Sequence, residues 1–211
     1  MRTATSSVPR TKIAGAELYR GAALAALFAA LTGLGAIMRV PLRPVPVTMQ
    51  VFFVLLTGLS LGPSWAFASM ILYLLAGISG APFFASPPHS GPQVLLGPTG
   101  GYLVGFALAA YVTGLVHRSL LSRPGPGYAR ALAAALLASV AGIAVIYACG
   151  WSWLSAWLKL HGADPAAAFR LGVKPFIAID LGKALLAALA VHGVPRKLKS
   201  TRPSRDTEAG R

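Results

Sequence analysis

The chain has 211 residues, of which 55% are hydrophobic and only 11% charged, and its mean hydropathy is +0.66. That leaves too little polar surface for a soluble globule of this size and reads as one polytopic membrane domain. The formal charge of +14 does not indicate a nucleic-acid partner, because the basic residues sit in tails and loops between apolar segments, and the single cysteine, Cys149, excludes an intrachain disulfide or a cysteine-rich metal site.

Residues 1–17 form a polar, basic tail. The apolar run Leu18–Met38 is long for the core of a signal peptide and is followed by further apolar segments, so it is predicted as the first transmembrane helix. Ala22, Ala26 and Ala30 recur along it every fourth residue, with Ala25, Ala29 and Gly33 on the neighbouring face; small residues at that spacing let a second helix approach closely. Further spans are predicted at Val47–Leu61, Trp65–Gly77, Gly101–His117, Tyr128–Gly150 and Pro175–Val194. The result is an all-α integral membrane protein with six transmembrane helices over residues 18–194, closed by a second basic tail over 195–211. The second and third segments are short and divided only by Gly62-Pro63-Ser64, which fits two spans, two half-depth helices or a re-entrant pair.

Six spans place both termini on one side. Arg2, Arg10, Lys12 and Arg20, then Arg118, Arg123 and Arg130, then the basic C-terminal tail outweigh Arg39, Arg43, Lys159, Arg170 and Lys174, so the termini are predicted to be cytoplasmic. Three connections then lie outside. The first, 39–46, carries Pro41, Pro44 and Pro46 and should be a stiff strap. The second, 78–100, ends in Leu95-Leu-Gly-Pro-Thr-Gly-Gly-Tyr102; its glycines suit either a lid whose backbone touches a ligand or a tight lead-in to the fourth helix. The third opens on Trp151, Trp153 and Trp157 at headgroup level, and Asp164-Pro165 reads as the structural start of a short surface helix ending near Gly172.

The last span carries Asp180 and Lys183, the two charges placed within a membrane helix. A charge at bilayer depth costs about 2.5 to 3.5 kcal/mol or more, and an i, i+3 pair shares one helix face, so both side chains can meet a small polar ligand; the other reading is a self-neutralising structural pair. With five carboxylates in the chain and one of them in a span, an intramembrane acid/base pair or polyaspartate metal site cannot be built. His89, His117, His161 and His192 lack metal-ligand spacing, and no phosphate-binding Walker loop is present, so neither a resident metal or cofactor nor enzymatic or ATPase activity is expected of this chain.

Pro46-Val-Thr-Met-Gln50, Leu61-Gly-Pro63, Leu72-Tyr-Leu-Leu-Ala-Gly-Ile-Ser-Gly-Ala-Pro82, Leu96-Gly-Pro-Thr-Gly-Gly-Tyr102 and Asp180-Leu-Gly-Lys183, in this order, resemble the BioY family of biotin transporters, the substrate-binding S-components of energy-coupling factor (ECF) systems. The resemblance runs from about Ala22 to Val191 and implies an S-component-like fold, with high-affinity binding and uptake of biotin across the cytoplasmic membrane. It implies as partners a transmembrane scaffold subunit docked on Ala22, Ala26 and Ala30, and cytoplasmic ATPase subunits that use the ATP. Biotin offers two ureido N–H donors, a carbonyl acceptor and an anionic tail. Asp180 and Lys183 answer the ureido group; Thr48, Gln50, Thr99, Gly100, Gly101 and Tyr102 are further candidates at the mouth, and Arg39 or Arg43 for the carboxylate. Phe84 to Gln93 departs from the glycine-rich loop of relatives. The rival readings are a solitary biotin permease without an ATPase module and a membrane enzyme or assembly protein in which the Asp180–Lys183 pair only stabilises the bundle.

Overall fold

The computed structural model describes residues 10–122 and 127–193; residues 1–9 of the predicted N-terminal tail, Arg123, Val194 of the last predicted span and the whole predicted C-terminal tail, 195–211, lie outside the described residues. In chain order the elements are α1 (Arg10–Ile37), β1 (Arg39–Val40), β2 (Val47–Thr48), α2 (Gln50–Leu61), α3 (Pro63–Ile78), α4 (Gln93–Leu96), α5 (Gly100–Leu120), α6 (Tyr128–Leu160), α7 (Ala167–Gly172) and α8 (Ile177–His192). The six predicted spans correspond to α1, α2, α3, α5, α6 and α8. Three segments, Glu17–Ile37 of α1, α5 and α6, are by length and composition able to cross a membrane, while α2 and α3 are shorter apolar helices.

Two boundaries differ from expectation. Helix α1 starts at Arg10 instead of Leu18, because alanine, glutamate, lysine and arginine extend a helix that the apolar span has already nucleated. Helix α6 does not stop at Gly150 but runs to Leu160. Gly150 is packed under the ring of Tyr102, and Leu154 and Leu158 continue the buried face, so the tryptophans that suggested a headgroup-level loop are helical. The connection between α6 and α8 shrinks accordingly. Its short helix α7 ends at Gly172 as expected but starts at Ala167, with Ala166 at its N-cap; Asp164 and Pro165 lie in the turn before it, where the Asp164 carboxylate accepts from Ala166 N–H at 2.9 Å.

Helix α2 follows α5 from the level of Tyr102 to that of Gly114, then the chain reverses at Gly62 and returns as α3. Gly62 has φ +74°, a conformation suited to glycine, and Pro63 occupies the first turn of α3. The reversal fits against α5 because Gly114 has no side chain: a Cβ there would stand 2.7 Å from Gly62 C and Pro63 N.

Apolar residues lie both inside and outside this bundle. Val54, Leu55, Met70, Tyr73, Ile146 and Leu154 are fully buried, yet Leu27, Leu108, Leu137, Leu181 and Leu186 are exposed on the outward faces, as contact with lipid requires. Lipid removes the hydrophobic drive between helices, so association depends on close fit. Glycine supplies it at Gly58, where a Cβ would meet Ala110 O and Thr113 Cβ at 2.7 Å, and at Gly101, which packs directly against Trp153 and the Cys149 carbonyl of α6.

Gly101→Ala is expected to lower stability in detergent by about 1 to 3 kcal/mol through overpacking, whereas Gly182→Ala, where a Cβ meets nothing within 4 Å, leaves it unchanged. Thermal unfolding of the two purified variants checks this; equal melting would show that α5 and α6 do not rely on that contact.

Candidate ligand-binding site

Asp180 lies in the first turn of α8, where the positive end of the helix favours a carboxylate, and Lys183 follows three residues later on the same face. Both are buried, at 2% and 5% exposure, and Lys183 Nζ donates to Asp180 Oδ1 at 2.7 Å. From α6, Tyr147 donates its hydroxyl to Asp180 Oδ2, also at 2.7 Å. Each carboxylate oxygen thus has one donor and keeps capacity for another, while the ammonium retains two N–H groups.

This pair forms one wall of a cavity with about 550 Å³ of atom-free space, its open mouth included. The opposite wall comes from the strap and α2. Gln50 is buried; its Nε2 donates to Tyr73 Oη at 2.5 Å, and its Oε1 accepts from Thr48 Oγ1 at 3.1 Å. One amide N–H and one carbonyl lone pair remain for a ligand. Tyr73 in turn donates to Phe83 O at 3.2 Å, which carries the hydrogen-bonded chain from the cavity to the loop between α3 and α4. Thr99 donates to Ser86 Oγ at 3.2 Å. Between these polar groups the lining is apolar, with Val45, Val51, Leu103, Phe106, Ile146 and Phe176. An apolar pocket with a few convergent polar groups is the usual form of a small-molecule site.

Of the residues expected from sequence, Asp180, Lys183, Gln50, Thr48, Thr99 and Tyr102 come together on this cavity. Gly100 and Gly101 do not line it: they are the first residues of α5, neither has positive φ, and Gly100 packs against the Leu95 carbonyl. Their surroundings are those of a tight lead-in to α5. Arg43 is exposed on the strap and also stands outside the lining, as does Arg39, which bonds Ala85 O and lies against His89. Tyr147 and Ser86 were not anticipated. The signal for Tyr147 was a hydroxyl-bearing ring in the middle of an apolar helix, a residue that finds a hydrogen-bond partner when buried.

The fold has a solved counterpart. The S-component for biotin from an ECF-type ABC transporter superposes with a TM-score of 0.71 at 19% identity, covering 88% of this chain and 93% of that one. The architecture is therefore that of an S-component: a membrane-embedded helical bundle, here with a polar-lipped cavity. A BioY family profile matches residues 5–200. The chain is 42% identical over 166 residues to the probable biotin transporter BioY of Pyrococcus horikoshii, which spans 79% of this chain and 90% of that protein. It is 41% identical over 165 residues to the biotin transporter BioY of Thermotoga maritima, with 78% and 89% covered, and 37% identical over 195 residues to that of Rhodobacter capsulatus, with 89% and 97% covered. The chain belongs to the BioY family.

Removing one member of the buried pair strands the other. Lys183→Met alone is expected to destabilise the protein by about 3 to 5 kcal/mol, and Asp180→Leu/Lys183→Met to recover most of that loss, since both charges then leave the interior. Chemical denaturation of the single and double variants measures the difference; equal loss in both would mean that the pair is not held desolvated.

Proposed function

We propose that this protein binds biotin with high affinity at the Asp180–Lys183 cavity and takes it up as the substrate-binding S-component of an ECF-type transporter. The observation that carries the reading is the set of unfilled polar valences facing each other across an apolar cavity, in a chain of the BioY family. Asp180 accepts from the ureido N–H groups while Lys183 keeps it ionised, and Lys183 and the free Gln50 amide N–H donate to the ureido carbonyl. Tyr147 orients the carboxylate. Thr48 and Thr99 frame the mouth, and the aliphatic and aromatic lining encloses the remainder of the ligand. Biotin is cargo, handed on chemically unchanged, and ATP is consumed by partner subunits.

The protein sits in the cytoplasmic membrane with both termini inside, so that the strap and the cavity mouth face outward. Delivery then requires the ECF scaffold subunit and its ATPases. On α1, Ala25 and Ala29 are buried in the bundle while Ala22, Ala26 and Ala30 are exposed, and this small-residue face is where the scaffold docks by close van der Waals fit.

Asp180→Asn is expected to weaken biotin binding by about tenfold or more, since the Lys183 charge is left uncompensated. Titration of detergent-purified protein with biotin provides the measurement; a properly inserted variant of unchanged affinity would place the ligand elsewhere. Ala26→Trp, in contrast, should leave binding near wild type and sharply reduce both ATP-driven uptake and co-purification with the scaffold. Wild-type behaviour in all three assays would remove that face from docking.

A further inference from the structure

The mouth of the cavity is built from two separate loops. On one side the strap between α1 and α2 is closed at its base by the β1–β2 pair, which sets Arg39 opposite Thr48 and Val40 opposite Val47. Met49 N adds bonds of 3.1 Å to Gly35 O and Met38 O, tying that base to the end of α1. The strap brings Val45 and Pro46 to the cavity, and Thr48 and Gln50 line it where the chain returns to that base and enters α2. On the other side stand Ala85 and Ser86 of the second outer loop. This loop is wedged into the bundle by Phe84, whose ring fills the space over Gly77. Residues 84–89 then fold back on themselves, with Phe84 N donating to His89 O at 3.0 Å and His89 N to Ser86 O at 2.9 Å; His89 has φ +72°.

Arg39 joins the two sides. Its Nη1 donates to Ala85 O at 3.0 Å, and its guanidinium lies against the His89 ring, with Nη1 3.1 Å from Nδ1 and Nη2 3.4 Å from Nε2. The His89 Nδ1 is also 3.1 Å from Phe84 O. A carbonyl accepts only, so Nδ1 carries the proton and donates to Phe84 O; the approach of Nη1 to Nδ1 is then a contact of two donors and no hydrogen bond, and Nε2 is left to accept from Arg39 Nη2 at 3.4 Å. Neither Arg39 nor His89 lines the cavity.

We propose that the contact of Arg39 with His89 and Ala85 is a latch across the mouth, which ligand passes in either direction only when the strap and the 84–89 turn part. The latch uses a few hydrogen bonds of modest strength, part-buried at Ala85 O and exposed at His89, as a contact that opens repeatedly requires. It forms without help from any ligand-facing side chain, so breaking it lowers the barrier equally for binding and release.

The exchange test rests on the biotin reading above; a labelling test does not. His89→Gly removes the ring while keeping the left-handed turn relaxed, and Arg39→Ala removes the other half. Each variant, and the double variant, should raise the association and dissociation rates of labelled biotin by about tenfold together, with Kd unchanged. In a Cys149→Ala background, Val51→Cys places a thiol on the cavity wall, and its modification by a water-soluble methanethiosulfonate should accelerate by a similar factor when the latch is broken, with no biotin present. Unchanged labelling and exchange rates in variants that melt like wild type would overturn the latch. So would a rise in Kd with Arg39→Ala alone, which would make Arg39 a ligand contact instead. Faster labelling in protein that holds no biotin at all would support the latch and overturn the proposed ligand.

Discussion

A carboxylate and an ammonium taken out of water within one turn of α8 are the constraint to which the rest of the site answers. Each charge alone would be too costly to bury. Together, at 2.7 Å, and with Tyr147 on the second carboxylate oxygen, they are tolerable but not saturated. A pair with spare donors and acceptors in an apolar cavity is a poor device for stability, since well-packed hydrophobic residues would serve as well or better. It is a good device for recognition, because any ligand that completes it must present donors and an acceptor in the right places.

Such a site needs a frame that does not yield, and lipid offers no hydrophobic drive to close one. The bundle obtains its rigidity from fit. Glycines at 58, 101, 114 and 150 let backbone and rings of neighbouring helices come within contact distance, and Phe83 and Phe84 plug the loop into the spaces over Gly33 and Gly77. Tyr73 sits between these two systems. It packs against Phe83, Phe84 and Phe106 and passes a hydrogen bond from Gln50 to the loop backbone, so the polar wall of the cavity and the anchoring of its lip are one structure.

Helix α1 shows how a single element divides its work. Ala25 is buried and its carbonyl accepts from Ser69 of α3, whereas Ala26, one residue on, is exposed. Because 100° separates successive side chains on a helix, the face that holds the bundle together and the face turned outward need not compete for the same residues. Ligand chemistry is kept away from that outward face, at the end of the bundle where the strap, α5 and α8 begin.

What the sequence determined by itself was whatever depends on local pattern or on the cost of a residue type in lipid. Apolar run lengths placed all six main helices, the Gly62-Pro63 break marked the turn between α2 and α3, and the scarcity of intramembrane charge singled out Asp180 and Lys183. Ordered motifs led to the family. Tertiary structure decided whatever depends on which distant surfaces meet. Helix α6 runs past Gly150 because Tyr102, far away in the chain, packs onto that glycine; the Gly100-Gly101 pair stands in helix packing and outside the cavity lining, because Trp153 and the Leu95 carbonyl occupy the space beside it. Tyr147 is an ordinary aromatic residue in an apolar run until α8 brings Asp180 to its hydroxyl. Arg39 and His89, fifty residues apart, become partners only because the strap and the second loop close over the same cavity. Helix formation is a matter of neighbours in sequence, but hydrogen bonding and steric fit across a bundle are matters of neighbours in space, and no local pattern records those.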